Sequence, residues 1–122
     1  MRLSFLTFFL LAGCTPIILG TGVVAGYMLS NDSASGYINT DYRTLWDSAY
    51  MAIKNNSHTE IVEANESKGR IKAKVSGNID LVIKINSLLE RKQYLKVCAR
   101  KYLLPQPHYA QKIFFKIVRD LE

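Results

Sequence analysis

The residues in this sequence able to do chemistry are two thiols, two imidazoles and a set of alternating cations. Cys98 and His108 lie ten residues apart, and a thiol beside an imidazole is the raw material of a cysteine nucleophile. A loop separates them, and no orienting acid or oxyanion donor accompanies the pair. His58 and His108 both fall in turn regions, and neither has a ligand-type neighbour three or four positions away, as a zinc site would require. The chain carries no phosphate-binding loop, no dinucleotide fingerprint and no paired carboxylates of the glycosidase kind. The reading is therefore a chain without catalysis, without a cofactor and without a metal.

The cations are more regular. Arg70, Lys72, Lys74, Lys84, Lys96 and Arg100 share one phase of three alternating segments, with Tyr94 among them and Asp80 the lone acid opposing. Sixteen Lys and Arg against ten Asp and Glu give a net charge of +6, a balance suited to an anionic neighbour. Such a face either meets an anionic surface, such as lipid headgroups or lipopolysaccharide, or is a solvated face whose lysines guard the sheet against edge pairing. Cys98 falls in the same outward phase, although free cysteines are commonly buried; the sequence leaves that conflict open.

The elements that must position these residues follow from hydrophobic period. A short strand is expected over Gly36 to Thr40. A helix capped by Thr40 or Asp41 then runs to Lys54, with Tyr42, Leu45, Trp46, Ala49 and Ile53 on one face. Thr59 to Asn65 reads as an irregular strand. Arg70–Val75 and Ile79–Ile85 alternate strictly around the turn Ser76-Gly77-Asn78. Leu88 to Lys92 reads as a loop or ragged strand end, and Tyr94–Arg100 as the last strand. Pro107 suits the first turn of a helix that runs to Leu121, with Ala110, Ile113, Phe114, Ile117 and Val118 inward. The expected fold class is α+β: a two-layer domain with an antiparallel sheet of about four strands packed on two helices, in the order β-α-β-β-β-α. Trp46, Ile53, Ile83, Phe114 and Val118 would lie between sheet and helices, either filling the core or lining a small apolar pocket for a lipid tail.

The N-terminus states a location. Arg2 precedes an apolar run from Leu3 to Leu11, the charge-then-apolar order of a secretory signal. Leu11-Ala12-Gly13-Cys14 resembles the lipobox of bacterial lipoproteins. That resemblance implies cleavage before Cys14, acylation of its thiol by two or three chains, and anchoring in an envelope membrane. One chain alone binds membrane only marginally. Thr15, where an Asp would suggest retention at the inner membrane, implies the outer membrane facing the periplasm. The competing reading is an uncleaved transmembrane helix over Leu3 to Leu29, which Pro16 and Gly13, Gly20, Gly22 and Gly26 argue against. Gly22 to Gly26 is a GxxxG, read either as a helix contact or as part of a flexible tether. Three regions result: a signal peptide over 1–13, the lipidated cysteine and Gly/Ser-rich tether over 14–35, and the envelope domain over 36–122.

Further residues extend the resemblance, to a family of small bacterial lipoproteins of unknown function. They are Gly20 to Gly26, Ser35-Gly36-Tyr37-Ile38, Leu45-Trp46-Asp47-Ser48-Ala49, Gly69-Arg70-Ile71-Lys72-Ala73 and Lys112-Ile113-Phe114-Phe115-Lys116-Ile117. The resemblance implies a compact βαβββα periplasmic domain. It implies no reaction and no functional residue beyond Cys14. The expected partners are the membrane, through acyl chains on Cys14, and an anionic lipid, lipopolysaccharide or envelope protein. The basic face matches a nucleic-acid stacking platform poorly, and export argues against nucleic acid. The function expected is a structural or binding role in the envelope. The alternative is a lipid-binding or lipid-carrying module.

Overall fold

The computed structural model describes residues 23–76 and 78–121. Arg2, the apolar leader and Cys14 lie outside the described residues, as does Gly77 of the second turn. In chain order the elements are β1 (Val24–Leu29), β2 (Ser33–Ile38), α1 (Tyr42–Lys54), β3 (Thr59–Asn65), β4 (Arg70–Val75), β5 (Ile79–Leu89), β6 (Lys92–Lys101), β7 (Leu104–Pro105) and α2 (Pro107–Arg119).

The expected sheet of about four strands in a two-layer β-α-β-β-β-α domain is overturned. Among the described residues the chain is mostly sheet: seven antiparallel strands in one sheet, with only two helices. The strand order is β1-β2-β6-β5-β4-β3, and β7 pairs with β6.

Three segments account for the difference. Residues 24–35, inside the segment read as a tether, supply β1 and half of β2. Tyr27 draws β1 onto the body, its ring 5.2 Å from Phe114 and 5.1 Å from Phe115. The small residues of β2 let helix α2 approach closely: Phe114 lies over Gly36, where a Cβ would stand 3.2 Å from the ring. Composition alone reads Gly, Ala and Ser as linker, and it cannot show a helix pressing on them. The second segment, Leu88 to Lys92, expected as a loop or ragged strand end, carries the irregular ends of β5 and β6, which join as a hairpin. The third, Leu104-Pro105, turns back to pair with Arg100 and Lys101, on the side of β6 that β2 vacates after Cys98.

The rest follows the hydrophobic period. Ile71, Ala73, Leu81, Ile83, Ile85, Leu95, Val97 and Ala99 all point to one side and are buried. The helices cover that side with Leu45, Trp46, Ala49, Ile53, Ile113, Phe114 and Ile117, as a half-buried antiparallel sheet requires. Ser48 Oγ donates to the Ile117 carbonyl at 2.9 Å, tying α1 to α2. No described helix is long and apolar enough to cross a membrane.

The turn from β3 to β4 depends on Gly69. Its φ is +65°, and its carbonyl accepts the Ile85 amide at 2.8 Å. A Cβ there would collide with the Ile85 carbonyl oxygen, and left-handed backbone itself costs a side-chain-bearing residue about 1–2 kcal/mol. Gly69→Ala is therefore expected to lower unfolding free energy by at least about 2 kcal/mol. Urea denaturation measures this, and an unchanged midpoint would contradict the assigned turn.

Candidate functional site

The face of the sheet opposite the helices carries the expected cations. Arg70, Lys72, Lys74, Lys84, Lys96 and Arg100 all project from it, Arg70 and Lys96 partly buried and the others exposed. The register sorts them into rows across the strands. One row runs Ser35, Lys96, Lys84, Arg70, since Lys96 pairs with Ser35 and Lys84, and Lys84 with Arg70. The next runs Ser33, Cys98, Val82, Lys72 and Glu63. A third runs Arg100, Asp80, Lys74 and Glu60.

These rows differ electrostatically, which the sequence pattern does not show. In the third row Lys74 Nζ meets Asp80 at 2.8 Å, and Arg100 meets Asp32 at 2.5 and 2.8 Å. The Asp80 carboxylate beside it raises the Lys74 ammonium above its ordinary pKa. In the second row Lys72 lies 3.9 Å from Glu63. In the first, Arg70 lies 3.6 Å from the same Glu63, while Lys84 and Lys96 have no carboxylate within salt-bridge distance among the described residues. Two ammonium groups thus face each other across β5 and β6, an arrangement that disfavours the folded state. Surface pairs such as Lys74–Asp80 contribute little to stability; their effect is to remove the far row's net charge. Asp32, Glu60 and Glu63, which neutralise the face, come from a loop and strand β3, whose placement against these lysines is tertiary.

Cys98 stands on this face, half-buried, between Ser33 and Val82. It lines a hollow of about 240 Å³ with Val82, Lys84, Arg100, Asp32 and Leu103. Burial pushes its thiol pKa up, against the pull of Lys96, Lys84 and Arg100, so the thiolate is disfavoured. His108 is exposed near the start of α2, and no described hydrogen bond joins it to Cys98. The structure therefore assembles no nucleophile pair from them. Nor do the described residues contain a group of three or more His, Cys, Asp or Glu able to hold a metal ion. Trp46, Ile53, Ile83, Phe114 and Val118, the candidate lipid-tail lining, are 0–6% exposed within one continuous core, where they pack against one another's neighbours as core residues do.

One set of residues escaped sequence reading: the tip of the β5–β6 hairpin. Leu88 and Leu89 are 48% and 66% exposed. The tip is held from beneath by Gln93, whose amide is fully buried and donates to the carbonyls of Thr40, Leu89 and Glu90 at 3.1–3.3 Å. A buried amide in a strand is the signal that could have marked it, because such a group requires carbonyl partners.

No protein-family model matches the chain, and no curated protein matches it. Among solved structures it is similar to a conserved protein of unknown function from Enterococcus faecalis. The identity is 9%, the TM-score 0.44, and the match covers 80% of this chain and 76% of that one.

Relief of the facing ammonium groups is measurable. Lys84→Glu, which places a carboxylate opposite both Lys96 and Arg70, is expected to stabilise the fold by about 0.5 kcal/mol at low salt, with the gain shrinking at high salt. Thermal denaturation at two ionic strengths checks this, and destabilisation at low salt would contradict the assigned register.

Proposed function

We propose that the chain is a non-catalytic envelope lipoprotein, acylated at Cys14, whose sheet presents a cationic row to the phosphate-bearing surface of envelope lipid or lipopolysaccharide. The observation that carries the reading is Leu11-Ala12-Gly13-Cys14 placed directly after Arg2 and the apolar run. The face adds to it: Lys84 and Lys96 stand side by side without an acid, the condition under which a cation remains available to an external phosphate. The half-buried, proton-retaining Cys98 suits an inert thiol, which a chain exported with an unpaired cysteine needs.

Intact-mass measurement of membrane-fraction protein tests the anchor. The mature chain is expected to start at Cys14 and to carry the mass of two or three acyl chains. Cys14→Ser is expected to keep residues 1–13 and gain no lipid mass. Wild-type protein that still starts at Met1 without added mass would end the proposal.

The cationic row is tested separately, by lipopolysaccharide binding to detergent-solubilised protein. Each cation near an anionic lipid surface contributes roughly 1 kcal/mol. Replacing Lys84 and Lys96 together by Gln should therefore weaken binding roughly 30-fold at low salt. The same replacement at Lys74, already held by Asp80, should change it little. Equal effects at the two places would remove the row from the function.

A further inference from the structure

The strand register shows which end of the sheet the N-terminal segment leaves from. Val24 pairs with Ile38, and Ile38 with Gln93, so β1 starts beside the base of the β5–β6 hairpin. A second exposed apolar segment, Tyr102-Leu103-Leu104, lies beyond Lys101 at the opposite end of β6, and a third, Met28-Leu29, ends β1 level with Val97. From Gln93 to Lys101 strand β6 advances about 26 Å at strand rise. Only residues 15–22 separate Cys14 from Val23, a reach of at most about 30 Å when fully extended. Three of those residues, Ile17, Ile18 and Leu19, are of the kind that favours the acyl boundary over water.

The hairpin at this end overhangs the sheet. Strand β4 ends its pairing with Arg70 opposite Lys84, whereas β5 continues with β6 alone through Asn86–Tyr94 to Leu89–Lys92. On the outer face, the register then orders three chemistries by distance from the tip. Leu89, paired with Lys92, comes first, beside the unpaired Leu88 and the charged turn residues Glu90 and Arg91. Tyr37 and Tyr94 follow, paired across β2 and β6 with ring centroids 5.2 Å apart, and the Lys92 ammonium lies 5.5 Å from the Tyr37 ring. Lys96 and Lys84, which have no carboxylate partner among the described residues, are next, with Arg70 and its partner Glu63 beside them, and the neutralised pairs Lys74–Asp80 and Arg100–Asp32 stand farthest away.

We infer that the β5–β6 tip is a second membrane contact: Leu88 and Leu89 enter the bilayer that holds the acyl chains, and the sheet docks tip-down. Apolar, then tyrosine, then cation is the order met on leaving a bilayer, from hydrocarbon through the interface to anionic headgroups. The end where the N-terminal segment enters, the leucine tip and the unopposed Lys84 and Lys96 lie toward one end of the fold, while on the same face the far end pairs Lys74 with Asp80 and Arg100 with Asp32. The Gln93 amide pre-forms the tip, so docking need not order it. The inference rests on acylation at Cys14, whose segment enters the fold at this end through Val24.

The test uses full-length acylated protein in vesicles of phosphatidylglycerol and brominated phosphatidylcholine, with acyl mass measured on the same preparation. Trp46 is the sole native tryptophan and is buried, so it supplies a low baseline. Leu89→Trp is expected to shift emission to shorter wavelength and to be quenched by the bromines. Leu103→Trp, at the far end, is expected to show neither. Hydrogen exchange of unaltered protein provides a readout independent of substitution: the 86–92 amides should slow in vesicles relative to detergent, and the 101–104 amides should not. Acyl mass present with position 89 unquenched, or with quenching at 103 instead, overturns the docking while leaving the anchor standing. Quenching at 89 without acyl mass overturns the anchor and leaves the tip a membrane contact in its own right.

Discussion

One-sided burial governs this molecule. Both helices pack on the same face of the sheet, so every strand must hold its apolar phase toward them. Ile83 opposite Val97 is an inner pair; one residue on, Lys84 opposite Lys96 is an outer one. A slip of a single residue would exchange the two sets and bury ammonium groups at a cost far above the cross-strand repulsion that the native register accepts. The facing lysines are thus a consequence of the core. Their repulsion is tolerated because solvent screens it, while the apolar ladder beside them is dry.

That same register gives the outer face its polarity. Acidic partners reach the cations only where another element brings them: Asp32 from the loop before β2, Asp80 within β5, Glu63 from the bulged strand β3. None of these elements brings a carboxylate to the central pair Lys84 and Lys96. The face is neutral toward one end and cationic toward the other, with the aromatic pair Tyr37–Tyr94 and the leucine tip beyond the cations. The direction of β1 links this gradient to the N-terminal segment. Because β1 runs parallel to β6 in the sheet, it begins at the end where the hairpin overhangs.

Much of the body was legible as sequence because its signals are local. The span Tyr42–Lys54 follows from an apolar face repeating at helical period, Pro107 marks the start of α2, and strict alternation identifies β4 and the first part of β5. The outward phase of the six cations was legible for the same reason: in a strand, side chains take opposite sides by geometry alone. The Gly- and Ser-rich stretch before Tyr37 was not. Its small residues are strand residues here because Phe114 needs the space above Gly36 and Tyr27 finds Phe114 and Phe115. Those contacts join positions about eighty or ninety apart, and no window along the chain contains both. The hairpin tip was missed likewise, because the Gln93 amide that holds it also reaches back to Thr40.

The sequence by itself determined the period of each regular element, the side on which each cation stands, and the leader-like order ending at Cys14. All three are properties of neighbours along the chain. Tertiary structure alone decided that the described residues form a seven-stranded sheet, that Asp32 and Asp80 leave Lys84 and Lys96 unopposed, and that the start of β1, the leucine tip and those two lysines lie toward one end of the fold. Those outcomes are set by strand order and by helix packing, which bring together residues that nothing in their local composition associates.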